Sequence, residues 1–309
     1  MTPLEWIRIG LAVIASVSSL IIFWDMHQKR KDIKQCEAII KKNSLTFYKA
    51  FSKIQDRKKR EAIYAVYAFC RYADDLVDED QDEKGLIALK DELDAYVKGE
   101  KPTSFRFRAL KQTTHDVYPK NYDYKPFYDM IKGQEMDLNF KGYQTENELL
   151  NYCYHVAGTV GLMLIPILAG KNDKKLHQFA INLGYGMQIT NILRDIGEDE
   201  KAGRIYIPEE LISKANVRKE DLHHGKISIE FINMFEDLAK KAEKYFDDAL
   251  EELHLFPKDV QLPLGLSIVL YRGILDACRE NGYDVFSKKN FVSDEKKNEL
   301  INAFLKRQK

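Results

Sequence analysis

From about residue 33 to the C-terminus, apolar residues recur every three or four positions, and no other feature of the chain constrains its fold as strongly. The pattern is clearest in the segments EAIYAVYAFCRYADDLVDE, HQFAINLGYGMQITNILRDIGED and FINMFEDLAKKAEKYFDDALEELHLF. This spacing puts the apolar side chains on one face of an α-helix. The sequence contains no sustained period-two alternation of the kind that half-buried strands show. We therefore predict an all-α protein in which residues 32–309 form one helical domain.

The first 31 residues differ from the rest. Between Ile7 and Phe23 the only charge is Arg8, and the two tryptophans of the chain, Trp6 and Trp24, flank this apolar run. A bilayer-spanning helix needs about 17–25 such residues. The basic residues that follow the run are Lys29, Arg30, Lys31 and Lys34. Residues 1–31 are thus predicted to anchor the chain in the cell membrane, as a single-pass or peripheral segment, with the domain on the cytoplasmic side. A removed signal peptide is the alternative.

Charge and cysteine content exclude several classes of protein. Forty-eight basic residues balance forty-eight acidic ones, so the chain has no global field that would attract nucleic acid, and no nucleic-acid partner is expected. The four cysteines lie far apart and form no CxxC pair, which disfavours a zinc site or a redox motif. They are Cys36, Cys70, Cys153 and Cys278. We expect reduced, buried thiols, as in cytosolic proteins.

Two of the predicted helices carry a pair of aspartates four residues apart near the C-terminal end. The first pair is Asp74 and Asp78, and the second is Asp195 and Asp199. Residues at this spacing lie one turn apart on the same face, where like charges destabilise the helix unless a cation binds. Mg²⁺ prefers such oxygen ligands and is usually held by one or two carboxylates plus substrate phosphate. The two pairs are predicted to form a metal-bridged clamp for a diphosphate.

Other polar residues share the faces of the acid pairs. They are Tyr67 and Arg71 in the first helix, and Gln188, Asn191 and Arg194 in the second. Arg204 and Tyr206 follow in the segment GRIYIP, which can fold over a cleft, and arginine suits bidentate contact with phosphate. Either acid pair alone is equally consistent with a solvated surface. Two pairs, each following a densely apolar turn, favour a site at the mouth of a buried cavity.

Three blocks of the sequence resemble the signature blocks of the squalene/phytoene synthase family. They are YAFCRYADDLVDE, YCYHVAGTVG and QITNILRDIGEDEKAGRIYIP, in the family's order and approximate spacing. NSLTFYKAF is similar to the family's early Ser-x-Ser-Phe block, and the resemblance runs from about residue 35 to 285, closest to the bacterial dehydrosqualene (4,4'-diapophytoene) synthases. It implies an isoprenoid synthase-type helical bundle with a central cavity, here preceded by the N-terminal anchor helix.

The resemblance also implies roles for individual residues. The residues implied to hold two or three Mg²⁺ ions are Asp74, Asp78, Asn191, Asp195 and Asp199. The four aspartates, Arg71 and Tyr206 are implied to be catalytic. The substrate-binding residues would be Ser44, Thr46, Phe47, Tyr67, Arg71, Asp137, Tyr152, Val156, Gly161, Gln188, Asn191, Arg194, Arg204 and Tyr271. Two positions depart from the family pattern, because Thr46 replaces the usual second serine and Lys288 stands where an arginine is frequent.

The activity that the resemblance implies is a Mg²⁺-dependent, head-to-head condensation of two prenyl diphosphates through a cyclopropyl diphosphate intermediate, with release of diphosphate. Two farnesyl diphosphates would give dehydrosqualene, a precursor in carotenoid biosynthesis. Phytoene from geranylgeranyl diphosphate, and squalene, are the alternatives. NADPH is not indicated. A prenyl diphosphate phosphatase and a non-catalytic, membrane-tethered helical adaptor also remain open. The implied partners are the prenyl diphosphates, the membrane, and downstream carotenoid- or squalene-modifying enzymes.

Overall fold

The structure is a computed structural model that describes residues 2–78 and 81–307, and this part of the chain is helical without any strand. Its helices are α1 (Pro3–Asn43), α2 (Leu45–Phe51), α3 (Arg57–Asp78), α4 (Glu83–Val97), α5 (Phe105–Thr114), α6 (Lys125–Leu138), α7 (Glu146–Cys153), α8 (Thr159–Ala169), α9 (Lys174–Lys201), α10 (Glu209–Lys214), α11 (Lys219–His223), α12 (Ile229–Glu251), α13 (Lys258–Glu280) and α14 (Asp294–Arg307). A π-helical turn, Tyr154–Gly158, joins α7 to α8, and a 3-10 turn, Glu252–Leu255, precedes α13. The predicted all-α class is confirmed.

Helices α3 and α9 lie at the centre of the bundle. Helix α3 packs on α1, α5 and α8, whereas α9 packs on α8, α12 and α13. One core of buried apolar side chains runs through all of them, with the ring of Phe69 packed 4.9 Å from that of Phe127 and 5.8 Å from that of Phe107. The four cysteines are free and buried, as expected.

The direction of each helix follows from contacts at its ends. Helices α3 and α13 begin side by side, since Lys59 Nζ lies 3.7 Å from an oxygen of Asp259. Helix α5 ends near the same point, because Lys58 Nζ lies 2.9 Å from Asp116, just beyond α5. The C-terminal ends of α3 and α13 therefore lie at the other end of the bundle. Arg204, just after α9, reaches Asp78 there, and Arg279 in the last turn of α13 pairs with Glu236 in the first half of α12.

The π-helical turn brings two backbones into direct contact. A Cβ added at Gly184 of α9 would lie 2.5 Å from the backbone nitrogen of Gly158. At Gly161 of α8 it would lie 3.0 Å from Ala180. The small residues of this region thus allow α8 and α9 to approach more closely than larger side chains would permit.

Helix α1 is continuous across the predicted boundary at residues 31 and 32. Asp32, Cys36 and Ile40 are fully buried against the domain, and Asp32 accepts two hydrogen bonds of 2.9 Å from the guanidinium of Arg108. The described apolar side chains between residues 11 and 26 are exposed, for example Phe23 at 71%. The exposed apolar stretch is therefore the projecting part of a helix whose C-terminal part is packed on the domain.

Two other described helical segments, Glu146–Ala169 and Lys258–Glu280, are long and apolar enough to cross a membrane by length and composition. In the first, 67% of the apolar window is buried in the protein, and in the second 50%. Both segments pack against α9, and we describe them as core helices.

Candidate active site

The two acid pairs lie at the same end of the bundle, where α3 and α9 finish. We call this end, with the last turns of α3 and α9 and the segment 203–208, the acidic end. After α9 the chain turns at Gly203 (φ +75°), and the backbone N–H of Arg204 donates to the carbonyl of Asp199 at 2.8 Å. This turn directs the Arg204 side chain towards α3, where Nη1 lies 3.7 Å from Oδ1 of Asp78. Arg204 thus joins the two acidic helices.

Asp137, from α6, lies between the two pairs. It is buried and accepts hydrogen bonds from the hydroxyls of Tyr152 (2.9 Å) and Tyr206 (2.8 Å), whose rings stack with centroids 5.1 Å apart. Burial raises the pKa of the Asp137 carboxyl to about 6, although both tyrosine hydrogen bonds and Arg204 oppose the rise. The hydroxyl of Tyr206 is therefore held in place by its hydrogen bond to the buried carboxyl of Asp137.

Both acid pairs carry carboxyls that resist ionisation. Burial, and then the charge of Asp78, raise the pKa of Asp74 to about 8. Burial, and then the charge of Asp195, raise the pKa of Asp199 to about 7. Gln134 Nε2 donates to Asp74 at 2.8 Å, a contact that the sequence analysis missed. Such carboxyls are stabilised in the charged form by a nearby cation.

The donor set fits Mg²⁺ that is shared with a phosphorylated substrate. Among the described residues, no three His, Cys, Asp or Glu side chains are grouped so as to hold a metal by themselves. What the acidic end offers is two separate carboxylate pairs, with Asn191 one turn before Asp195. Mg²⁺ commonly takes one or two carboxylates and completes its shell with water and substrate phosphate. Asp74, Asp78, Asn191, Asp195 and Asp199 are the residues that would hold it.

Basic side chains neutralise part of the negative charge of the second acid pair. Asp195 forms an ion pair with Arg194, and Lys289 Nζ lies 3.3 Å from Asp195 and 2.8 Å from Glu198. The family resemblance implies that Arg194 contacts phosphate, and it singles out Lys288 rather than Lys289 as the position where an arginine is frequent. The lysine pair was visible in the sequence, but only the fold shows which of the two reaches α9.

On α3, Arg71 forms an ion pair with Asp75, so the aspartate between the members of the first pair has a structural partner. Tyr67, one turn before Arg71, lies close enough to Arg71, Asp74 and Tyr271 for their charges to affect its pKa, which burial raises. The predicted face of α3 is therefore assembled as one polar row.

Helices α2 and α13 form the wall beside Asn191. The hydroxyl of Tyr271 donates to Asn191 Oδ1, and Asn191 Nδ2 donates to Gln188 Oε1 at 3.3 Å. The ring of Phe47 stacks on Tyr271 with centroids 5.7 Å apart. Ser44 occupies the N-cap position of α2 without a side-chain cap hydrogen bond, and Thr46, directly before Phe47 in the same short helix, is half-buried.

Apolar side chains continue inward from the acidic end. A cavity of about 10 Å³ lies next to Asp199 and Arg204 and is lined by Ile192, Ile196 and Tyr206. It has room for about one water molecule and is much smaller than a prenyl chain. Val156 and Gly161 are half-buried, as are the other apolar side chains that pack near them on the core, Val160, Leu164 and Ile181.

Comparison with known proteins agrees with this arrangement. A family model described as squalene/phytoene synthase matches residues 40–296. The 15-cis-phytoene synthase of Synechococcus elongatus is 36% identical over 274 residues, which cover 84% of this chain and 87% of that protein. The chloroplastic phytoene synthase of Daucus carota is 35% identical over 283 residues, covering 89% of this chain and 69% of that protein.

Solved structures show the same likeness. A crystal structure of a dehydrosqualene synthase in complex with ligand is 39% identical, with a TM-score of 0.85, and the match covers 91% of this chain and 99% of that one. Squalene synthase from Alicyclobacillus acidocaldarius is 28% identical, with a TM-score of 0.75, over 83% of this chain and 96% of that one. The fold, the acidic end and these matches agree, and the chain belongs to the squalene/phytoene synthase family.

Proposed function

We propose that the protein condenses two molecules of farnesyl diphosphate head to head to form dehydrosqualene. The observation that supports this most directly is the convergence of two acid pairs, from α3 and α9, on Asp137 and Arg204 at one end of an apolar bundle. Family membership supports prenyl transfer as the reaction class. The nearby solved relative named a dehydrosqualene synthase supports the choice of product.

The residues of the acidic end have distinct tasks in this reaction. Asp74 and Asp78 on one side, and Asp195 and Asp199 on the other, would hold Mg²⁺ against the diphosphate. Bound Mg²⁺ supplies a positive charge that stabilises the departing diphosphate. Arg204 adds a fixed guanidinium on the same side, suited to two phosphate oxygens at once. Because these groups are placed before the reaction, they need no rearrangement when the charge develops.

The chemistry begins when the C1–O bond of one substrate breaks and its electrons leave with diphosphate. The double bond of the second substrate attacks the resulting allylic cation, and loss of a proton closes the cyclopropyl ring. Loss of the second diphosphate, rearrangement and loss of another proton give the linear product without a reductant. Tyr206 would flank the reacting carbons, where an aromatic face stabilises a cation by about 0.5–2 kcal/mol.

Substrate length is the main alternative. The curated relatives are named phytoene synthases, which favours geranylgeranyl diphosphate and a forty-carbon product. The stack of Phe51, Phe47 and Tyr271, with centroids 5.9 and 5.7 Å apart, favours the shorter chain because it fills space beside Asn191. Phe47→Ala is expected to extend the substrate range towards the longer diphosphate, which product mass spectrometry would detect.

We also propose that the protein is held at the cell membrane by the exposed part of α1, with the domain on the cytoplasmic side. A helix that is apolar around its whole circumference has no stable place in water. The basic residues directly after it favour retention of the domain in the cytoplasm. The apolar product would leave towards this membrane and its next enzymes.

The test is product analysis with each diphosphate, with and without Mg²⁺ and NADPH. We expect Mg²⁺-dependent release of diphosphate and dehydrosqualene from farnesyl diphosphate, and a loss of at least about 100-fold in Asp74→Asn and Asp195→Asn. Asp237→Asn, at an exposed ion pair with Lys214, is the matched control and should keep wild-type activity. A forty-carbon product alone would indicate phytoene, farnesol alone a phosphatase, and no diphosphate release an adaptor.

A further inference from the structure

The path of α1 along the domain shows at which end of the bundle the anchor emerges. Near its C-terminus, Glu37 of α1 accepts a hydrogen bond from Tyr48 (3.0 Å) and lies close to Tyr64 in the first half of α3. One turn or so earlier, Asp32 is bound by Arg108 at the start of α5. The neighbouring Arg106 stacks on the ring of Tyr72, in the second half of α3, at 3.5 Å. Helix α1 therefore runs antiparallel to α3.

In this orientation the N-terminal part of α1 lies towards the acidic end. Followed backwards from Glu37 to Asp32, it passes from the level of Tyr64 towards that of Tyr72, two residues before Asp74. It leaves the domain surface near Gln28, which is half-buried and donates to Asp32 at 2.9 Å. Trp24 lies only four residues further, or about 6 Å at 1.5 Å per residue. The exposed apolar segment thus starts close to the level of the acidic end.

Exposed apolar side chains also surround the acidic end. Ile87 (55% exposed) lies in the second turn of α4, which begins where α3 has finished. Ile229 (63%) begins α12, whose Phe231 stacks on Phe286 at 5.2 Å, beside Gly197 of α9. Phe291 (70%) lies two residues from Lys289, which contacts Asp195. We call Ile87, Ile229 and Phe291 the apolar rim.

The charges at the exit of α1 favour a lipid surface over a protein partner. Lys29, Arg30, Lys31 and Lys34 are all exposed there, on the part of α1 between the apolar segment and the buried Cys36. Juxtamembrane lysines and arginines are attracted to anionic lipid headgroups. These residues also offset the repulsion that the acidic end would feel at an anionic surface.

We propose that the acidic end faces the bilayer, with the apolar rim resting on the lipid and the diphosphate clamp opening at headgroup level. The substrate class rests on the function proposed above. A prenyl diphosphate is an amphiphile whose charged head lies among the headgroups and whose chain lies in the lipid. In this orientation the carboxylate pairs meet the diphosphate at its own depth, and the substrates enter directly from the membrane.

The buried thiols make this orientation measurable. All four native cysteines are buried, and burial raises the thiol pKa of Cys36 and Cys278 to about 12, so they react poorly with thiol reagents. Single cysteines are introduced in the full chain as two matched pairs. Ile87→Cys is compared with Val97→Cys, ten residues or about 15 Å along α4. Phe291→Cys is compared with Leu262→Cys, in the second turn of α13 at the opposite end of the bundle.

Each cysteine is labelled with an environment-sensitive fluorophore, with the unsubstituted protein as background, and the proteins are reconstituted into vesicles of anionic phospholipid that contain a headgroup-quencher lipid. We expect quenching at residues 87 and 291 to exceed that at 97 and 262 by at least about threefold, since quenching acts only near the bilayer. Equal quenching within each pair, stronger quenching at 97 and 262, or no quenching at all would overturn the proposed orientation.

Activity measured on the same samples separates the two proposals. Farnesyl diphosphate dispersed in detergent reaches the site regardless of orientation, so Mg²⁺-dependent diphosphate release tests the proposed function alone. Diphosphate release together with equal quenching in each pair would support the proposed function and refute the proposed orientation. The expected quenching without release would support the orientation and refute the function.

Discussion

At the scale of single residues, Arg204 is the side chain that joins the two acid pairs. Its guanidinium lies 3.7 Å from Asp78 and 3.5 Å from the hydroxyl of Tyr206. A hydrogen bond to a charged group contributes about 1.5–3 kcal/mol, so we expect Arg204→Met to lower kcat/KM by about 10- to 100-fold. Steady-state kinetics with farnesyl diphosphate measure this loss.

The matched control for Arg204 is Arg272, which lies next to Tyr271 but pairs with Glu243 and Asp247. Arg272→Met removes the same charge at a partly exposed ion pair and should change kcat/KM by less than about twofold. An equal loss in both variants would mean that the net charge of the domain, and not the position of Arg204, supports the reaction.

The raised pKa values of the acid pairs predict a pH dependence of stability. In the folded protein the pKa is about 8 for Asp74 and about 7 for Asp199, whereas an unfolded aspartate titrates near 3.9. Between about pH 4 and pH 8 the folded state therefore binds more protons, and the free energy of unfolding falls as pH rises. With allowance for solvent screening, we expect a loss of at least about 1 kcal/mol, or roughly 2 °C in Tm.

Thermal unfolding in the presence of a chelator, at pH 5 and at pH 8, measures this dependence. Asp74→Asn cannot ionise and should be less sensitive to pH than the wild type. Added Mg²⁺ should restore Tm at pH 8, where the carboxyls are charged, more than at pH 5. Identical pH profiles for the two proteins would contradict a shared cluster of raised carboxyl pKa values.

The sequence predicted the residues on the site's two helices better than their partners. A spacing of four residues on a helix places Asp74 beside Asp78, and Asp195 beside Asp199, and this pairing does not depend on the rest of the fold. Gln134 and Lys289 reach those helices from about 60 and 90 residues away, and no local pattern encodes such contacts. Arg194 forms an ion pair with the adjacent Asp195 in the structure, and the phosphate contact that the family resemblance implies for it stays a prediction.

At the scale of elements, the contact between Gly184 and Gly158 sets how closely α9 approaches the π-helical turn. A Cβ added at Gly184 would lie 2.5 Å from a backbone atom of Gly158. A Cβ added at Gly158 would have its nearest neighbour at 3.4 Å, which is an ordinary van der Waals distance. Overpacking costs about 1–3 kcal/mol, so Gly184→Ala should destabilise the protein by about 2 kcal/mol. Gly158→Ala, on the other side of the same contact, should change stability by less than about 1 kcal/mol. Denaturant unfolding compares the two, and equal losses would contradict the asymmetry.

Apolar periodicity predicted the helices but not this turn. The segment YCYHVAGTVG continues the apolar pattern of a regular helix. A π-helical turn adds one residue to a turn without a distinct signature, and it persists here because Gly158 and Gly184 can touch. The short run from Arg204 to Ile207, which has strand-like composition, is an irregular segment whose course is set by its contacts with Asp199 and Asp137.

At the scale of the whole molecule, the exposed apolar segment and the domain share one helix. The sequence placed a boundary at residue 31 because hydrophobicity and charge change there, and composition cannot show whether a helix continues through such a change. Helix α1 continues through residue 31 because Asp32, Cys36 and Ile40 are buried against the domain. The hydrogen bond from Gln28 to Asp32 extends these contacts back to Gln28. The projecting part is therefore held in a fixed direction at its base.

A protein that lacks residues 2–26 tests this arrangement. The contacts from Gln28 to Ile40 remain, and the family match begins only at residue 40, so we expect kcat/KM for detergent-dispersed farnesyl diphosphate to stay within about twofold of the full chain. Without the apolar segment, only the basic residues and the three side chains of the apolar rim can hold the protein at vesicles, and the electrostatic part of this attraction is weak and screened by salt. We therefore expect the shortened protein to stop sedimenting with anionic vesicles at physiological salt, and to act at least about tenfold more slowly on substrate embedded in them. A shortened protein that sediments and turns over embedded substrate like the full chain would show that the domain binds lipid without the help of α1.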